Sequence, residues 1–237
     1  MSRRAATLLA AAALLAAGCA SDSGGGTTLP PDAATILDAA ATAMGAVDTV
    51  RFTIERTGAP VYIDDSDLLA FVSAEGRYAT PGSAEAVVTI DAGGVTTQIG
   101  AVAIEGETWL SNPVTGAWEP APIGYTFDPA TLFDPAVGWR PLLAGGLTGV
   151  TLVGEGTEDG RYHLQGTADQ ERVAVITAGM VSGQSPLLDL WVDATTGEVT
   201  DVSFPTSYRG DLSDWTLAFF DYGADVEITP PDLPDGG

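Results

Sequence analysis

Phe127-Asp128-Pro129-Ala130-Thr131-Leu132-Phe133-Asp134-Pro135-Ala136-Val137-Gly138-Trp139-Arg140-Pro141-Leu142-Leu143-Ala144-Gly145-Gly146-Leu147 interrupts a chain that elsewhere alternates apolar and polar residues. Twice in this stretch an Asp precedes a Pro. An Asp carboxylate accepts hydrogen bonds from the free N–H groups at a helix start, and Pro has no N–H to leave unpaired there and a φ already suited to the first turn. Two short helices are therefore expected, stopped by Gly145-Gly146, with Leu132, Phe133, Val137, Trp139, Leu142 and Leu143 as an apolar cover for something else.

That something is a sheet. Before the interruption, Val50, Phe52 and Ile54 alternate with Arg51, Thr53 and Glu55, the period of a half-buried strand. Strand-like runs follow at 68–78, 86–91, 95–104, 108–111 and 117–119, parted by Ala92-Gly93-Gly94, Glu105-Gly106 and Asn112-Pro113-Val114-Thr115-Gly116. Spacers this short join antiparallel neighbours. After the interruption come strands at 150–155 and 161–166 joined through Asp159-Gly160, then 187–193, 198–204, 215–220 and 226–228. A helix is expected over 32–44, with Asp32 as its cap, Ile36, Leu37, Ala40 and Met44 on one face, and Gly45 at its end. A second helical piece is read at 170–180.

The N-terminus is of another kind. Arg3 and Arg4 precede an uncharged Ala/Leu-rich run over 5–17, too short to span a bilayer, which takes about 20 apolar residues. A short apolar run behind a basic start is a secretory signal. It closes on Leu15-Ala16-Ala17-Gly18-Cys19, which resembles the bacterial lipobox, although Leu stands one place earlier than is usual there. Cys19 is the single cysteine of the chain, so it has no disulfide partner within it, and acylation is the reading preferred to an incidental thiol. Residues 1–18 are thus read as a lipoprotein signal, 19–31 as lipidated cysteine plus flexible Gly/Ser/Thr/Pro tether, 32–229 as one domain, and 230–237 as a frayed Pro/Asp/Gly tail.

Composition excludes some partners. The 237 residues carry a formal charge of −23, and every one of the nine basic residues is Arg. Loss of Arg3 and Arg4 with the signal takes the charge to −25. Such a surface repels phosphate backbones, so no nucleic-acid partner is expected, and attachment to a membrane falls to the lipid rather than to charge.

Chemistry finds little footing. The one histidine, His163, shares a polar strand face with Arg161 and Gln165 and is read as an inert surface residue rather than a general base. Gly179-Met180-Val181-Ser182-Gly183 lacks the spacing of a nucleophile elbow. Asp64-Asp65-Ser66-Asp67 lacks the spaced ligands of a calcium loop and is read as a solvated turn. No catalytic residue, metal site or cofactor is expected.

The ordered features resemble a known family. The lipobox, the helix before the first strand, Asp67-Leu68-Leu69, the Trp118 hairpin, Asp128-Pro129 with Leu132-Phe133-Asp134-Pro135, Gly138 and Leu142-Leu143 are similar to the actinobacterial LppX/LprG envelope lipoproteins, relatives in fold of LolA and LolB. So are Trp191-Val192-Asp193 with Gly197, and Trp215 before Phe219 and Asp221-Tyr222-Gly223. The resemblance implies an α+β fold: a strongly curved antiparallel half-barrel with helices on its concave face, enclosing an apolar cavity for acyl chains. It implies an acylated lipid or glycolipid as ligand, carried or presented at the outer face of the cytoplasmic membrane, with a membrane exporter as a possible partner. The other readings are a LolA-like lipoprotein carrier and a structural envelope lipoprotein without ligand. By themselves the residues favour a filled core; the resemblance points to a cavity. Its expected lining is Val102, Ile104, Leu132, Phe133, Val137, Leu142 and Leu143, chosen by position and apolarity.

Overall fold

The computed structural model describes residues 31–64, 66–121 and 128–233. The signal, Cys19 and the tether up to Pro30 lie outside them, as do Asp65, residues 122–127 and the last four residues.

The first helix, α1 (Ala33–Gly45), begins where Asp32 accepts a hydrogen bond from the Thr35 N–H at 2.7 Å, and this bond holds the carboxyl below its ordinary range. Gly45 closes it for a different reason from the one expected. The residue after it, Ala46, is not left-handed, so no glycine cap is formed; instead a Cβ at Gly45 would stand 2.5 Å from Arg140 Cδ. The glycine makes room for the second helical layer.

The strands are β1 (Thr49–Gly58), β2 (Val61–Tyr62), β3 (Leu69–Ala79), β4 (Ser83–Ala92), β5 (Thr96–Ile104), β6 (Glu107–Ser111) and β7 (Trp118–Pro120). After the interruption come β8 (Leu147–Glu158), β9 (Arg161–Ala168), β10 (Leu187–Asp193), β11 (Val199–Tyr208) and β12 (Asp211–Phe220). All pairings are antiparallel, in the order β7-β6-β5-β4-β3-β1-β12-β11-β10-β9-β8, with the short β2 on β3. Among the described residues the sheet does not close; β7 and β8 stand at its two ends. The β8–β9 turn is tight because both Asp159 and Gly160 take positive φ, 49° and 78°, the geometry that suits a right-twisted hairpin. Residues 226–228, expected as a last strand, carry no strand; the chain there runs beside the fold without a ladder partner.

The interruption departs furthest from expectation. Its first part is a 3-10 turn, Pro129–Phe133, capped by Asp128, whose carboxylate accepts from the Ala130 N–H at 2.8 Å. Asp134-Pro135 starts no helix. Asp134 accepts from the Ala136 N–H at 2.7 Å in a local turn, and α2 (Trp139–Gly145) begins only after Gly138. A Cβ on Gly138 would lie 2.1 Å from the Leu132 carbonyl oxygen, so the chain must pass its own 3-10 turn at glycine distance before a helix can start. The last helix, α3 (Gln170–Ile176), is shorter than expected and is capped by Asp169, which accepts from the Glu171 and Arg172 N–H groups.

The core lies between the helices and one sheet face. Val50, Phe52 and Ile54 share that face with Trp215, Leu217 and Phe219 of the neighbouring β12, and with Val202, Leu190 and Leu164 further along. Ile36, Ala40 and Met44 of α1, Leu142 and Leu143 of α2, and Val173 and Ile176 of α3 belong to the same cluster. Tyr222 ties the end of the chain to it: its buried hydroxyl donates to the Val199 carbonyl and touches Met44 Sδ at 3.3 Å, and burial raises its pKa.

Candidate functional site

Phe133 is the centre of the helix–sheet contact. Its ring lies 5.6 Å from that of Phe52, 5.0 Å from Tyr78 and 6.0 Å from Phe219, and Trp139 meets Phe219 edge-on at 5.1 Å. These are ordinary separations for interlocked aromatic rings. Gly76 is what admits Phe52: a Cβ there would stand 2.5 Å from Phe52 Cζ. Beyond Gly76 the helix-facing side of the sheet is lined with small residues, Ala86 opposite Gly76 and Ala101 opposite Ala86.

The interface is apolar on both sides. Tyr78 is buried there, and desolvation raises its pKa. The indole Nε1 of Trp139 is buried without a hydrogen-bond acceptor among the described residues. By contrast, the indole of Trp215 donates to Thr206 Oγ1 at 2.9 Å while its ring lies between Phe71 and Phe204. Arg56, opposite Trp215 on β1, spends its donors on backbone carbonyls of Phe71, Gly58 and Ala59, and burial lowers its pKa.

The seven residues expected to line one cavity do not gather in one place. Leu132, Phe133, Leu142 and Leu143 do come together, each at most 4% exposed, as packed side chains of the core. Val137 does not join them. It sits in the turn between the 3-10 segment and α2 and is 39% exposed. Val102 and Ile104 are on the wrong side of the sheet. Val102 pairs with Glu85, whose neighbour Ala86 faces the helices, so β5 turns Ala101 and Ala103 inward and Val102 and Ile104 away. Two hollows of about 500 and 540 Å³ are found elsewhere, one on that far face and one at Pro60, Tyr62 and residues 67–70 and 91–93.

The other candidates are accounted for locally. His163 is not a free surface residue: its Nε2 lies 2.7 Å from Asp189 Oδ1, and its ring stacks on Trp191 at 4.5 Å. Asp64 accepts from the N–H groups of Ser66, Leu68 and Leu69, and Asp67 from the Tyr208 hydroxyl and the Arg209 guanidinium; Asp65 lies outside the described residues. Trp139 was read in the sequence as part of the apolar cover but not among the lining residues, and nothing local marks its unpaired indole; the Leu132-Phe133 and Leu142-Leu143 pairs were found because helix signals bracket them.

Comparison with known proteins places this geometry. Residues 32–228 match the family model described as LppX_LprAFG lipoprotein. No curated protein matches the sequence. Among solved structures the fold is similar to LprF from Mycobacterium bovis, with TM-score 0.62 and 16% identity over 84% of this chain and 96% of that one. It is also similar to the lipoprotein LppX of Mycobacterium tuberculosis, with TM-score 0.56 and 13% identity over 83% and 97%. A LolA superfamily protein from Nitrosomonas europaea aligns over 86% of this chain and 96% of its own at 12% identity, with a TM-score of 0.27, too low to argue from.

Proposed function

The chain belongs to the LppX_LprAFG lipoprotein family, and from that premise we propose that it is a lipid-anchored envelope protein which binds the acyl chains of a lipid or glycolipid between its helices and its sheet and carries or presents them at the outer face of the cytoplasmic membrane. The observation that carries this reading is the apolar helix–sheet seam. Leu132, Phe133, Trp139, Leu142 and Leu143 meet Phe52, Tyr78 and Phe219 through ring and methyl contacts alone. Parting such a seam breaks no side-chain hydrogen bond among the described residues, and an acyl chain inserted there replaces one apolar contact by another. Each buried methylene contributes roughly 0.8 kcal/mol, so a long chain can offset the opening without any polar recognition. In this reading the observed packing is the closed form, and the segment from the 3-10 turn to α2 is what moves.

The anchor proposed at Cys19 fits the family's description as lipoproteins. A single acyl chain holds a protein only marginally, whereas a multiply acylated cysteine holds it stably. Mass spectrometry of lipid extracted from the full-length protein, purified from its own membranes, tests the ligand. The expected result is a non-covalent lipid at near one per chain besides the modification on Cys19. A preparation that carries none, and that takes up none from phospholipid vesicles, overturns the proposal.

A further inference from the structure

The sheet face turned away from the helices carries a second, differently built hollow. In its register Phe220 stands opposite Arg51, Arg51 opposite Arg77, Arg77 opposite Glu85, and Glu85 opposite Val102. The next row runs Ala218, Thr53, Glu75, Val87, Gly100. Trp118 folds back over the end of that row: a Cβ on Gly100 would lie 2.6 Å from its Cη2, and the Gly100 N–H donates to Ser111 Oγ at 2.6 Å. The result is a trough of about 500 Å³ with an indole at one end and a phenyl ring, 42% exposed, at the other. Four strand spacings separate the two ends, about 19 Å.

Its floor is charged but balanced. Arg51 and Arg77 face Glu75 and Glu85, in a chain whose overall charge is −23. Arg77 Nε lies 2.7 Å from Glu85 Oε1 but out of line with it, so this buried N–H lacks a hydrogen-bond acceptor among the described residues. Arg51 Nε is 3.6 Å from Asp221 Oδ2. An anion placed here meets two glutamates, a cation meets two arginines, and an acyl chain has to desolvate all four. A sugar ring meets none of these objections. Its C–H face lies flat on an aromatic ring, and its hydroxyls both donate to carboxylates and accept from guanidinium groups, with planar, charge-assisted geometry.

We propose that this trough binds a short neutral oligosaccharide, held by stacking on Trp118 and Phe220 and by hydrogen bonds to Arg77 and Glu85. The site is separate from the apolar seam and does not depend on the lipid reading.

The test uses the full-length protein in a detergent without a sugar headgroup, titrated calorimetrically with mannotetraose, maltotetraose and cellotetraose, and with inorganic pyrophosphate and oleate as anionic and acyl controls. The expected result is a dissociation constant below about 1 mM for at least one saccharide. Trp118→Ala should weaken it about tenfold and Trp118→Phe much less, since a ring remains to stack on. Arg77→Gln should weaken it as well. Lipid content measured on the same samples should not change. If Trp118→Ala does not fold, Phe220→Ala applies the same test at the exposed end. Absence of saccharide binding, equal binding by wild type and the alanine variants, or a preference for pyrophosphate overturns the proposal.

Discussion

Trp139 is the residue whose energetics are least balanced. It is 1% exposed, and its Nε1–H meets no acceptor among the described residues. Leaving a buried donor unpaired costs about 1–3 kcal/mol, and this cost sets the loss of indole packing against the relief of desolvation. Trp139→Phe keeps a ring beside Phe219 and removes the donor, so the thermal midpoint should hold or rise; a fall of many degrees would show that the lost indole packing outweighs the relief of the unpaired donor. Val137 gives the opposite test. Its position inside an apolar run made it a cavity-lining candidate, for which a bulky replacement should block ligand. At 39% exposure it faces solvent instead, so Val137→Trp should leave both the melting temperature and lipid uptake from vesicles unchanged, as surface substitutions do.

At the scale of elements, turns and caps hold the carboxylates that matter. Asp193 accepts from the Thr195 and Thr196 N–H groups, both at 2.8 Å, in the turn between β10 and β11, and these bonds lower its pKa. A depressed folded-state pKa gives stability that is present above the unfolded value and disappears as pH falls below it. Asp193→Ala should therefore destabilise at neutral pH by an amount that stays flat down to about pH 4 and then shrinks on acidification. Urea titrations of both proteins at several pH values measure the difference; a gap that persists unchanged at pH 2 would rule this out. Local signals of this kind were readable. Asp32 and Asp128 each cap what they precede, and the β1 alternation assigned its faces correctly. Two elements were misread because the deciding contact is distant or steric. Asp134-Pro135 has every mark of a helix start, yet Gly138 must clear the Leu132 carbonyl first. In β5 both faces are apolar, so alternation could not orient it; position and apolarity suggested Val102 and Ile104 inward, whereas Ala101 and Ala103 are the residues that face the helices. The partner of His163, Asp189, is 26 residues away and leaves no local trace.

The whole molecule is one sheet with one apolar seam and an acidic surface. No described helix is long and apolar enough to cross a membrane. The anchor proposed at Cys19 therefore predicts that Cys19→Ala shifts the protein from the detergent to the aqueous phase on cloud-point partitioning, while its saccharide and lipid binding persist. Equal partitioning of variant and wild type would place the attachment elsewhere.

The strand order has one further consequence. β1 and β12, the first and last strands of the chain, lie side by side in the middle of the sheet, and neither half of the ladder is joined to the other except through them. A polypeptide emerging N-terminus first can form β3 to β7 and β8 to β11 as separate hairpin stacks, bridged only by helix packing until β12 arrives to join their hydrogen-bond ladders. The ladder is thus continuous across the molecule only once β12 is in place beside β1.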